Sequence, residues 1–141
     1  MATVEPIPST DGASVVIEAP RINAAWSMNA SYRYVYGWHP TRNDNYPNAL
    51  AKVDVTGLSP VRRWVNANDE FGVMMGEAVF VARPNGVDED DGVVVSAGLH
   101  IESGRSFALV LNASTMGELA RAYAPSPITF GFHTQFYPTQ P

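Results

Sequence analysis

Two sets of short strand-like runs recur about sixty residues apart in this 141-residue chain, and that tandem arrangement narrows the folds open to it. VVIEAPR (Val15 to Arg21) is echoed by MGEAVFVAR (Met75 to Arg83), both centred on Glu-Ala. YVYGWH (Tyr34 to His39) is echoed by VSAGLH (Val95 to His100), and AKVDVTG (Ala51 to Gly57) by LVLNAST (Leu109 to Thr115). Each set ends in one further short run, so four strands recur per set. The runs are β-branched or aromatic and are separated by Gly, Pro, Asn and Asp, the composition of strands joined by turns. A four-stranded unit of this length in tandem is the mark of a β-propeller blade, whose faces are buried only against neighbouring blades.

The predicted class is therefore all-β. Strands are expected near Ser14–Ile17, Tyr32–Trp38, Leu50–Val55, Val61–Val65, Ala78–Ala82, Gly92–Ile101, Phe107–Asn112, Leu119–Tyr123 and Thr129–Tyr137. The blade-like repeats cover about residues 13–66 and 76–124, and a ninth, closing strand covers about 128–138. Met116–Arg121 has the length of one helical turn, but Pro125 and Pro127 follow too closely for a helix of normal length. Two blades cannot close a propeller, so either several copies assemble or upstream blades are needed.

Composition removes several classes of function. Hydrophobic residues make up 45% and charged residues 16%, the balance of a packed chain rather than a disordered one. The net charge of -5 and the lack of any Lys/Arg run argue against a nucleic-acid partner. With no cysteine, there is neither a disulfide framework nor a thiolate metal site, so a metal would have to be held by His and carboxylate. No apolar run of membrane-spanning length occurs, and MATVEPIPSTDG lacks the features of a signal peptide, so a cytoplasmic chain is expected. Neither a G-x-S-x-G elbow nor a nucleotide-binding glycine pattern is present.

The residues that carry chemistry are few. The terminal run ITFGFHTQFYP places one titratable, metal-capable side chain, His133, among aromatics. Its local pattern leaves a satisfied core histidine and a metal ligand both open. Glu18 and Glu77 occupy the same place in the two repeats, at the edge of apolar runs where a carboxylate must be paired to be tolerated. Metal-bound histidines commonly donate their other ring N–H to a carboxylate, so His133 with Glu77 would make a ligand and its support. The bland alternative is that the glutamates repeat only because the blades do. His39, before Pro40, and His100, at a strand end, are expected to be exposed. Asp88 to Asp91 reads as a solvated turn, because no Glu stands near the twelfth position that a calcium loop requires. Tyr32, Tyr34 and Tyr36 alternate on one strand and suit core or tunnel packing, while Met74 and Met75 suit gap-filling.

Against these residues the chain resembles the C-terminal part of the carotenoid cleavage oxygenases, a superfamily that includes retinal pigment epithelial proteins and lignostilbene- and apocarotenoid-cleaving enzymes. The resemblance runs in order through IEAPRIN (Ile17 to Asn23), YRYVYG (Tyr32 to Gly37), GEAVFVARP (Gly76 to Pro84), DEDDGVVVS (Asp88 to Ser96), LVLNASTMGELARA (Leu109 to Ala122) and GFH (Gly131 to His133). It implies part of a seven-bladed β-propeller that holds Fe(II) on its axis through four histidines, three of them backed by glutamates. His133 matches the last histidine ligand, Glu77 the carboxylate behind it, and Glu18 a second supporting glutamate whose histidine lies upstream. Two positions depart from the family pattern: Thr134 stands where glycine usually follows the histidine, and Ala78 where proline usually follows the glutamate.

The resemblance also implies the chemistry. A non-haem Fe(II) dioxygenase of this type cleaves a conjugated carbon-carbon double bond of a carotenoid, apocarotenoid or stilbene with O2, with association to a membrane surface expected through parts outside this chain. The isolated chain holds one of the four ligands and is expected to be inactive. The rival reading is a truncated, non-catalytic propeller fragment that acts as a structural or interaction module.

Overall fold

Turn residues cut the chain into strands too short to be stable alone, and strands pair with others near them in sequence, which gives two antiparallel sheets. The computed structural model describes residues 15–27, 32–41, 47–67, 72–129, 131 and 133–137. The first sheet has the order β1 (Glu18–Arg21), β2 (Tyr34–His39), β3 (Ala49–Asp54) and β4 (Arg62–Val65). A single 3-10 turn, Ala24–Trp26, follows β1, with the Asn23 side chain accepting from Ala25 N. In the second sheet, β5 (Val73–Met75) and β6 (Val79–Ala82) both pair with β7 (Gly92–His100), which continues to β8 (Ser106–Asn112) and β9 (Glu118–Tyr123). Both are antiparallel meanders of the kind expected for blades.

β5 and β6 are two halves of one interrupted strand. From Met75 to Val79 the chain takes four steps while its partners on β7, Gly98 to Val95, take three, so Gly76-Glu77-Ala78 contains a one-residue bulge. β1 repeats this irregularity: Glu18 pairs with Trp38 and Arg21 with Tyr36, three steps against two, with Ala19 at φ 48. The Glu-Ala positions of the two repeats are thus both bulge positions.

The core lies between the sheets. Tyr36, Leu50 and Trp64 of the first pack on Val73, Met75, Val94, Phe107, Leu109 and Leu111 of the second. Tyr36 is fully buried, stacks on Phe80 at 5.5 Å and donates its hydroxyl to Ala113 O. Burying roughly a dozen apolar side chains this way supplies on the order of 1.5–3 kcal/mol each before the entropy of ordering them. Met75 is buried as expected, while Tyr34 lies beneath the Lys52 ammonium, 3.8 Å from ring centre to nitrogen.

Several sequence expectations are corrected. The first strand begins at Glu18 rather than Ser14; Ser14 lies outside the described residues, and 15–17 are not strand. The strand Val73–Met75 precedes the expected Ala78–Ala82 run. The expected closing strand Thr129–Tyr137 joins neither sheet at its described residues. The strand expected at Leu119–Tyr123 is present as β9, Glu118–Tyr123, in keeping with the rejection of a helix at Met116–Arg121. With AKVDVTG set against LVLNAST, the ladders make Ser96 the counterpart of Gly37, because Ala51 pairs with Gly37 and Leu109 with Ser96. YVYGWH is therefore displaced by two residues from VSAGLH.

The acidic loop is not merely a solvated turn. Glu89 is buried, and its carboxylate accepts from the backbone N–H groups of Arg33 and Tyr34 at the head of β2, at 2.8–2.9 Å. Asp90 meets the buried Lys52, and Asp91 meets Arg83. Burial pushes the Lys52 ammonium down against the pull of Asp90. The loop therefore ties the second sheet to the first.

Candidate metal centre

The bulge between β5 and β6 decides where Glu77 points. A bulge re-aims one side chain out of the ordinary pleat, and Glu77 here is 3% exposed although it stands outside the regular ladder. Gly76 anchors the bulge by donating its N–H to Ala97 O and accepting from the Ser96 hydroxyl.

Three segments far apart in sequence meet at the Glu77 carboxylate. Arg21 Nη2, from β1, donates to Oε2 at 2.7 Å. Thr134 N donates to the same oxygen at 2.8 Å, and His133 Nδ1 stands 3.3 Å from Oε1. Arg21 Nη2 also donates to Thr134 O at 2.9 Å. Burial alone would push the Glu77 carboxyl up, but the Arg21 guanidinium, the Thr134 N–H and His133 outweigh it and hold the pKa down at about 2.

The ionised carboxylate fixes the histidine tautomer. A carboxylate can only accept, so the Nδ1 that faces it carries a proton, and the tautomer that leaves a lone pair on Nε2 is the one this contact selects. That is the state of a histidine ligand with carboxylate support. The imidazole is 70% exposed while its supporting carboxylate is buried, so the ring lies at the surface of the cluster. Its donor set fits one ligand of a metal centre. Among the described residues no group of three or more His, Cys, Asp or Glu could hold a metal ion by itself.

The other sequence candidates lie elsewhere. Glu18, on β1, is exposed and is not drawn into the Glu77 cluster. His39 is not an exposed loop residue: it ends β2, is buried, and its Nδ1 lies 2.6 Å from Val16 O. His100 ends β7 and is half-buried rather than exposed, its ring tilted against Phe107 at 5.1 Å and stacked on Tyr123 at 5.9 Å. Sequence reasoning missed Arg21, which in IEAPRIN looks like a surface cation. Its signal is its place, three residues after the glutamate of the preceding bulge. Beside Thr134, an apolar cavity of about 160 Å³ is lined by Val79, Val95, Ala97, Ala108 and Phe136.

Comparison with known proteins places this cluster in a family context. The family model described as retinal pigment epithelial membrane protein matches residues 3–138. The chain belongs to that family. It is 40% identical over 111 residues to carotenoid cleavage dioxygenase 8 of Arabidopsis thaliana, covering 79% of this chain and 18% of that protein. It is 37% identical over 122 residues to a carotenoid dioxygenase of Neurospora crassa, covering 86% of this chain and 19% of that protein. The chain spans about a fifth of the length of these family relatives. Among solved structures, the cobalt-substituted apocarotenoid oxygenase of Synechocystis matches with a TM-score of 0.74 at 26% identity, covering 87% of this chain and 26% of that one. An apocarotenoid oxygenase chimera gives a TM-score of 0.73 at 25% identity, covering 84% of this chain and 25% of that one. These relatives are carotenoid cleavage enzymes, and the all-β architecture is that of their propeller.

Proposed function

We propose that this chain supplies the C-terminal part of a non-haem Fe(II) dioxygenase that cleaves a conjugated double bond of a carotenoid, apocarotenoid or stilbene with O2. The observation that carries the reading is the buried, ionised Glu77 held against Nδ1 of His133 in a chain of this family. In this reading the two sheets are adjacent blades, about residues 13–66 and 76–124, and about 128–138 is the segment that closes them. His133 is one iron ligand, through Nε2, and the other histidines come from upstream blades. Glu18 supports one of those.

Bound iron would supply the activation of O2 and the redox chemistry of cleavage. The chain's own residues do the positioning. Glu77 keeps a proton on His133 Nδ1, so Nε2 stays a neutral donor, and its negative charge offsets part of the charge of a dication held by neutral imidazoles. The apolar wall formed by Val79, Val95, Ala97, Ala108 and Phe136 offers a water-poor surface to a polyene beside that ligand.

A second reading, a non-catalytic propeller fragment that serves as a structural or interaction module, is favoured by one observation: only one histidine belongs to the cluster among the described residues. One ligand holds catalytic iron poorly against water. The isolated chain is therefore expected to retain little Fe(II) after desalting and to consume no oxygen with an apocarotenal, whereas joining it to an upstream family segment restores both. In the joined protein, His133→Ala removes iron retention, and replacing Glu77 costs roughly 10 to 100-fold in metal affinity. Stoichiometric iron and turnover in the isolated chain would overturn the partial-propeller reading; unchanged iron in the His133→Ala protein would overturn the ligand assignment.

A further inference from the structure

Arg21 touches no group expected to bind metal, yet it closes the cluster. Its Nη2 bridges Glu77 Oε2, at 2.7 Å, and the carbonyl of Thr134, at 2.9 Å, while Thr134 N returns a bond to the same Oε2 at 2.8 Å. Guanidinium, carboxylate and peptide thus form a closed ring of three hydrogen bonds drawn from β1, the second-sheet bulge and the terminal segment. Two consequences follow from that geometry. Oε2 is saturated by Arg21 and Thr134, so Oε1 is the oxygen presented to the imidazole. The Thr134 N–H, in the peptide that follows His133, and the Thr134 carbonyl, in the next peptide, are also both held, so the backbone on either side of the Thr134 Cα is fixed next to His133.

A further feature marks the guanidinium as placed for the cluster rather than for itself. Arg21 Nε is buried with no acceptor among the described residues, and a buried donor without a partner costs free energy. The side chain accepts that cost while its Nη2 makes two short bonds. Glycine 37 lets β1 come this close to its neighbour, because a Cβ there would lie 2.5 Å from Glu18 O.

We propose that Arg21 is a positioning residue for His133: it selects the carboxylate oxygen that meets Nδ1 and pins the backbone at the residue that follows the ring. The inference rests on the reading of His133 as a metal ligand. Arg21 acts through Glu77 and Thr134, across the junction of two sheets, so assembly of the metal ligand is coupled to the seating of one blade on the next.

The test compares wild type, Arg21→Gln, Arg21→Lys and His133→Ala in the full-length protein. Three quantities are measured: the rate of Fe(II) loss to a chelator, the visible absorption of the Co(II)-substituted protein, and the His133 Nδ1–H proton signal of the metal-free, ring-¹⁵N-labelled protein. Arg21→Gln is expected to speed metal loss roughly 10 to 100-fold, to shift the cobalt bands and to lose the Nδ1–H signal to exchange. Arg21→Lys is expected to recover part of each, since an ammonium restores charge without the planar fork. A purely structural role would lower the melting temperature without moving the cobalt bands. Wild-type metal loss and spectrum in Arg21→Gln would overturn the proposal; should that variant fail to fold, wild-type values in Arg21→Lys would do so. If His133→Ala leaves metal loss unchanged, the ligand reading fails, and the Nδ1–H signal alone then decides whether Arg21 holds the ring.

Discussion

Glu77 is nearly inaccessible, and burial by itself pushes its carboxyl up; three donors outweigh that and depress its pKa to about 2. A folded-state pKa below the ordinary value of 4.5 means that the cluster's stabilisation is fully present above about 4.5 and is lost as pH falls through about 2. The thermal midpoint is therefore expected to fall over that window, and Glu77→Gln is expected to lack this component because it has no proton to take up. Arg21 is 39% exposed, so solvent screens its share of the pair, and the cost of Glu77→Gln at neutral pH is about 2 kcal/mol. Denaturation at neutral pH and melting across the acid range check both; superimposable acid profiles would sink the argument. At this scale His133 and Glu77 were legible from type and position. Arg21 was not, because only the approach of β1 to the second sheet turns a surface-type cation into a clamp. His39 was misjudged because Pro40 suggested a loop, whereas the ladder runs on through the His39–Ala49 pair.

Elements are governed by pairing and by the places where pairing is broken. Val73–Met75 was not recognised as a strand because it is three residues long and flanked by Gly72 and Gly76, yet it pairs in register with β7 and sets up the bulge at Glu77. Gly98 shows why the sheet beside that bulge needs glycine. It pairs with Phe107, and a Cβ there would stand 2.3–2.8 Å from the Phe107 ring. Phe107 is 2% exposed and cannot swing aside freely. Gly98→Ala is therefore expected to cost about 1–3 kcal/mol by overpacking. Urea denaturation would measure it, and a neutral outcome would show that the ring has room the structure does not indicate. Ala19 offers a converse test. At φ 48 it holds a left-handed conformation that costs a non-glycine residue about 1–2 kcal/mol, so Ala19→Gly is expected to raise the unfolding midpoint slightly.

The two sheets are joined by polar ties around an apolar centre. Glu89 caps the two N–H groups at the head of β2, Asn23 Nδ2 donates to Glu89 O, and Trp64 Nε1 donates to Glu118 at 3.0 Å. Removing the Glu89 carboxylate strands two backbone donors that have no replacement in the ladder. Glu89→Ala is expected to cost on the order of 2–4 kcal/mol and to speed hydrogen exchange selectively at the Arg33 and Tyr34 amides. Unchanged exchange there, with stability preserved, would remove Glu89 from the junction. The acidic run thus ties one sheet to the other, where the missing twelfth-position glutamate of a calcium loop had suggested only a solvated turn.

Alternation, turn residues and the sixty-residue recurrence were enough to determine an all-β chain, because strand propensity and turn chemistry are local and survive in any context. The Glu-Ala positions and the terminal histidine were visible for the same reason. Tertiary structure decided what those residues meet. Arg21 and Glu77 are 56 residues apart, and Arg21 and Thr134 are 113 apart; no periodicity encodes such distances. Their meeting depends on one-residue bulges, which shift a side chain out of the pleat without leaving a mark in the alternation, and on the packing of one sheet against the next, where burial raises the cost of an unpaired charge enough to select a single arrangement.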